Sequence, residues 1–168
     1  MKGSEIARLV AVSLALLATG VWVGGIVVLG AIVAPTVSGI VPAPTSADAM
    51  TIVFVSFDKV AMTAAAIVAV AEVVRMRTMV PASPTKVDVI RLAVIGAAGV
   101  LAVVQGLWLS PTIVALHRAG AIRGSGELGQ KLERFHAWSE TCGKTESLLL
   151  VALVVLLAHA LMAPRAKA

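Results

Sequence analysis

From Leu9 to Ala34 the chain carries no charged side chain, and the run stops at Pro35. A helix needs about 20 apolar residues to cross the hydrocarbon of a bilayer. Lipid offers no partner to a backbone amide, so a run of this kind must form its own hydrogen bonds and therefore be helical. Three further apolar stretches follow over 46–78, 85–119 and 127–163, separated by segments rich in proline, glycine or charge. With a first helix over 6–36 they predict an all-α polytopic membrane protein. The architecture is a four-transmembrane-helix bundle with extended external helix ends, filling residues 1–168 as one domain. Of 168 residues 59% are hydrophobic and 14% charged, against roughly 25% charged in soluble domains, which makes lipid the solvent. A secretory leader with Ala18 and Gly20 before a cut fits the first run less well, because the run continues far past a leader core.

Within the first helix Gly20 and Gly24 make a small-xxx-small pair suited to close helix approach, with Gly25 and Gly30 extending the smooth surface. Trp22 lies deep among them, and its indole N–H needs a partner there. Gly39, Pro42 and Pro44 mark a turn before the second helix, which carries Asp48 in its first turn. Asp58, Ala65, Ala69 and Glu72 share one face of that helix. Arg75 is one turn beyond Glu72, which predicts an ion pair. Lys59 points away from its neighbour Asp58, so the partner of Asp58 is expected from the last helix, with Lys144 as the candidate. Ser83 or Thr85 caps the third helix, and Asp88 lies in its first turns. Gln105 is an interhelical hydrogen-bonding residue, and Ser110-Pro111 bends or interrupts the helix. No internal repeat is evident.

The richest stretch runs from Glu133 to Ser147. On a helix, Glu133, His136, Glu140, Lys144 and Ser147 share one face, while Phe135, Trp138, Cys142 and Leu149 lie opposite. His136 and Glu140 are spaced i, i+4 and can reach one metal ion, with Asp58 or His117 as further ligands across the bundle. The bland alternative is a hydrogen-bonded pair on a helix surface. A structural polar cluster is expected from Trp22, Gln105, Trp108, Pro111, Ser139 and Lys144. His159 lies near the other side of the membrane from His136, so no axial pair for haem is evident. Cys142 is the single cysteine, which excludes an internal disulfide and a cysteine-cluster site. No phosphate-binding loop or nucleophile elbow is present, so no enzymatic activity and no cofactor are expected.

The net charge of +5 sits beside apolar runs without an aromatic-basic platform, which points to phosphate headgroups rather than nucleic acid. Lys2, Arg8, Arg75, Arg77, Lys86, Arg91, Arg165 and Lys167 gather on one side. Lys59, Arg118, Arg123, Lys131, Arg134 and Lys144 gather on the other. The larger set marks the cytoplasmic side, which puts both termini in the cytoplasm of a protein of the inner (plasma) membrane.

Three motifs in register, Trp22-Val-Gly-Gly leading to Val33-Ala-Pro35, Trp108-Leu-Ser-Pro111, and Phe135-His-Ala-Trp-Ser139, resemble the transmembrane protein 205-like family. That family is also described as a domain of unknown function. The resemblance implies a four-helix membrane protein and singles out Trp22, Pro111, His136 and Ser139. Gly143-Lys144 stands where the family pattern has an asparagine. A looser likeness links the tryptophan-glycine first helix to copper-resistance membrane proteins. The expected role is a structural or accessory bundle in a membrane assembly, with the lipid bilayer and a homo-oligomer or larger complex as partners. The alternative is metal-ion or small-solute binding or transport through the external polar cluster.

Overall fold

A computed structural model describes residues 3–42, 45–78 and 85–162. The helices are α1 (Gly3–Val28), α2 (Ala34–Ile40), α3 (Thr45–Arg77), α4 (Lys86–Val104), α5 (Ser110–Arg118) and α6 (Gly126–Met162). One π-helical turn, Leu29–Val33, joins α1 to α2, and another, Gln105–Leu109, joins α4 to α5. Taken through these turns the chain makes four spans, Glu5–Ile40, Thr45–Arg77, Lys86–Arg118 and Gly126–Ala160, each long and apolar enough to cross a membrane. The spans pack in a ring, α1 on α3, α3 on α4, α4 on α6 and α6 back on α1.

The core is narrow because most of its side chains are small. Ala11, Ala15 and Ala18 of α1, Ala61, Ala64 and Ala65 of α3, and Ala98 and Ala102 of α4 face inward. Leu150, Leu153 and Leu157 of α6 fill the remaining space. Small residues let backbones approach where no hydrophobic force drives helices together in lipid. The larger apolar side chains, Leu17, Val21, Val70 and Val155 among them, point outward, as a lipid solvent requires. The glycine of α1 that meets a neighbouring span is Gly25, whose missing side chain is replaced by the Phe57 ring. Gly20 and Gly24, expected to serve that purpose, have open space beside them.

Local chemistry sets the helix ends. Thr85 and Asp88 form a reciprocal capping box at the start of α4. Gly120, at φ 78°, closes α5 with a Schellman motif, since the Ala121 N–H reaches Leu116 O and the Gly120 N–H reaches His117 O. Neither Pro35 nor Pro111 ends its span. Each lies in the first turn after a π turn, where the widened backbone relieves the clash between the proline ring and the preceding turn.

The two interruptions are also equivalent. Gly30-Ala-Ile-Val-Ala-Pro-Thr36 and Gly106-Leu-Trp-Leu-Ser-Pro-Thr112 share glycine, a small residue, proline and threonine at the same places. Both turns close by the same bond, from the Ala34 N–H to Leu29 O and from the Ser110 N–H to Gln105 O. The same offset pairs Ala15 with Arg91, Thr19 with Ile95 and Trp22 with Ala98, and all six are buried. The first and third spans therefore carry the same interruption at the same place in their length. The repeat escapes a reading of the sequence because only four of seven motif positions match and the rest is interchangeable apolar residue.

Candidate functional site

Two buried charge clusters lie at different depths. The first sits at the end of the bundle that holds the 78–85 connection. Arg75 Nε and Nη2 grip Glu72 Oε2 and Oε1 at 2.9 and 2.7 Å. Arg75 Nη2 also reaches Asp88 Oδ1 at 2.6 Å. Arg91 spans the same two acids, with Nε 2.9 Å from Glu72 Oε1 and Nη2 2.5 Å from Asp88 Oδ1. Asp88 Oδ2 accepts from the Thr85 N–H and hydroxyl, and Arg91 Nη1 donates to Leu156 O of α6 at 3.5 Å. Two acids and two arginines thus form a neutral quartet tying three spans together. Its Glu72–Arg75 member is the ion pair expected from spacing alone.

About 14 residues along α3, roughly 21 Å by helix rise, lies the second cluster. Asp58 of α3 and Glu146 of α6 are 7% and 4% exposed. The Trp22 indole N–H donates to Glu146 Oε1 at 2.6 Å, which answers the requirement for a partner at Trp22. Asp58 is hydrogen-bonded by Ser110 and interacts electrostatically with Glu146. Gln105 Nε2 donates to Ser139 Oγ at 2.7 Å and to Ser110 Oγ at 3.2 Å. Cys142 faces the same layer, with its thiol 3.6 Å from Leu101 O.

The second π turn builds this layer. It places Gln105 toward α6, and it brings Gly106 so close to α3 that a methyl group there would lie 3.2 Å from Asp58 Cβ and 3.0 Å from Met62 Cε. Past Trp22 the first span continues to Ile40 with Val27, Val28 and Ile32 exposed. Asp58 and Glu146 both lie inside candidate spans, Thr45–Arg77 and Gly126–Ala160.

The partner of Asp58 on the last helix is thus Glu146, not Lys144. Lys144 Nζ bonds Glu140 Oε1 at 2.7 Å, and both side chains are exposed. The reason is helical phase. Ser139, Cys142, Glu146, Leu150, Leu153 and Leu157 form the inward stripe of α6, and Lys144 stands off that stripe. Spacing held the signal, since Glu146 is in step with the buried leucines. The charged stripe nominated from sequence is solvent-facing, and Arg123 pairs with Glu133 at 2.9 Å across it. That bond holds the Arg123 guanidinium above its ordinary range.

His117 and His136 do meet, ring centroids 5.8 Å apart. Asp58 lies apart from them in the layer around Ser110, and Glu140 is taken by Lys144. Among the described residues no group of three or more His, Cys, Asp or Glu side chains could hold a metal ion. Trp108, expected in the polar cluster, stacks with Phe135 and Trp138 at 5.9 Å from each. Its ring is 53% exposed and belongs with aromatic residues of a membrane interface. Pro111 acts through backbone shape, as described above. A shallow pocket of about 300 Å³ beside Ile122, Ser125 and Leu128 lies in the 118–126 connection, away from both clusters.

The profile of the family described as Domain of unknown function (DUF4149) matches residues 17–121, and the chain belongs to that family. The match takes in Trp22, Asp58, the quartet and both π turns. No curated protein and no solved structure matches the chain.

Proposed function

We propose that this member of the family is a non-enzymatic membrane bundle that binds a small cationic species at the layer formed by Asp58 and Glu146. The observation that carries the reading is a pair of buried carboxyls without a basic partner. Among the described residues neither takes part in an ion pair. Ionisable groups inside a membrane are costly and mark ion pathways or relays when they are not paired off. Segments interrupted at corresponding places in two halves are the accompanying sign of a binding layer in transport proteins. The quartet supports the contrast, because there the chain spends two arginines on two acids.

A second reading is a structural or accessory subunit. It is favoured by the open face of Gly20 and Gly24 on α1, which suits a close helix from a homo-oligomer or a larger assembly. The resemblance to the transmembrane protein 205-like family and the excess of basic residues at the quartet end support a plasma (inner) membrane protein with both termini cytoplasmic.

The test is reconstitution in sealed vesicles of phosphatidylethanolamine and phosphatidylglycerol, with H⁺, Na⁺, K⁺ and Mg²⁺ gradients imposed in turn. Binding or flux of one of them, lost in the Asp58→Asn, Glu146→Gln double variant, supports the cation reading. Equal behaviour of empty vesicles, wild type and variant for all four ions overturns it in favour of the accessory role.

A further inference from the structure

Resting on the reading that this layer takes a cation, we infer that the cation is a proton, bound at Oδ2 of Asp58. Both amide hydrogens of Gln105 are used, one on Ser139 and one on Ser110. The Ser110 hydroxyl keeps its own hydrogen for Asp58. Two acceptors are then left over, Asp58 Oδ2 and Gln105 Oε1, both fully buried and without a partner. A buried oxygen with no donor costs about 1–3 kcal/mol, more when it is charged. The remaining hydroxyl hydrogen of the group, on Ser139, reaches neither, and two such oxygens together mark a missing donor.

A proton on Asp58 Oδ2 supplies that donor and removes the charge in one step. The carboxylate gains an O–H bond, the hydronium that delivers the proton loses one, and the layer loses one negative charge. Among the described residues Glu146 and Cys142 of α6 interact electrostatically with Asp58. Its neighbour Lys59 on α3 is exposed. From the third span Ser110 and Gly106 face it, and neither carries charge. Among the described residues no basic side chain forms an ion pair with Asp58. The space is also small, since Gly106 closes against the Asp58 stem and against Met62. The quartet marks the difference: there Asp88 Oδ2 takes two hydrogens from Thr85, whereas Asp58 Oδ2 takes none.

The experiment is infrared difference spectroscopy of the full chain in lipid vesicles, with pH stepped at fixed Na⁺ and then Na⁺ and Mg²⁺ stepped at fixed pH. The expected result is a carboxylic-acid carbonyl band that disappears as pH rises, survives the Glu140→Gln variant, is absent in Asp58→Asn, and does not move with either metal ion. A carboxylate band that answers to Na⁺ or Mg²⁺ and not to pH overturns the proton and leaves the cation reading intact. Spectra of wild type and Asp58→Asn that respond alike to every step overturn the proton at Asp58, and an equal response in the Asp58→Asn, Glu146→Gln double variant overturns the cation reading as well. Asparagine matches aspartate in shape, and a circular dichroism spectrum equal to wild type confirms that the variant is folded.

Discussion

The quartet of Glu72, Arg75, Asp88 and Arg91 and the layer of Asp58 and Glu146 use the same side-chain chemistry at the same degree of burial, and they are built on opposite principles. In the quartet every acid meets both arginines, and Asp88 is capped by Thr85 as well. In the interior layer the acids meet an indole, a hydroxyl and each other. A closed account of charge makes a clasp. An open one leaves a place for something mobile.

The sharpest way to break the comparison is Arg91→Met. It strands Glu72 and Asp88 with a single arginine, and removing one partner of a buried ion pair costs about 3–5 kcal/mol. We expect a large fall in the thermal midpoint in mild detergent, or loss of folded protein. An unchanged midpoint would show that the quartet is no clasp. The next effect belongs to Trp22→Phe, which deletes the donor to Glu146 and leaves part of the buried indole volume empty. Hydrogen bonds to charged groups contribute about 1.5–3 kcal/mol, so destabilisation of that order is expected by the same measurement.

Gly106→Ala comes third. Its methyl would crowd Asp58 Cβ and Met62, at a cost of about 1–3 kcal/mol, whereas Gly30→Ala at the equivalent place meets nothing within 4 Å. A smaller shift at Gly30 than at Gly106 would separate packing from the shared motif. Equal shifts would assign both glycines to the π turn itself. The smallest effect is expected for Lys144→Ala, whose exposed pair with Glu140 leaves the midpoint within error.

The helices themselves were legible because lipid imposes one rule on every backbone amide, and long uncharged runs cannot obey it otherwise. Trp22 was legible too, since a deep indole must donate to something. Glu72 with Arg75 followed from one turn of spacing. What failed was the choice between Lys144 and Glu146 as the partner of Asp58. Opposite charge argued for the lysine, and helical phase against the buried leucines argued for the glutamate. Phase prevailed because a side chain on the wrong face cannot reach the core at any price in electrostatics. Arg91 reads as a basic residue at a span end: Asp88 stands one turn before it, but Glu72 and the Leu156 carbonyl come from two other stretches of chain. The π turns were invisible because Ser110-Pro111 and Ala34-Pro35 advertise a break, and a widened turn that lets the helix pass leaves no separate mark.

The duplicated interruption also bears on how the chain enters a membrane. Each half is a helical hairpin whose first arm carries the same glycine-proline joint, so each can be handed to the bilayer as a separate unit during synthesis. When the leading hairpin arrives, Trp22 and Asp58 are already at depth, while Ser110, Gln105 and Glu146 are still to be made. An acid inside lipid costs least without its charge, so the order of synthesis favours the neutral form of Asp58 until those residues arrive.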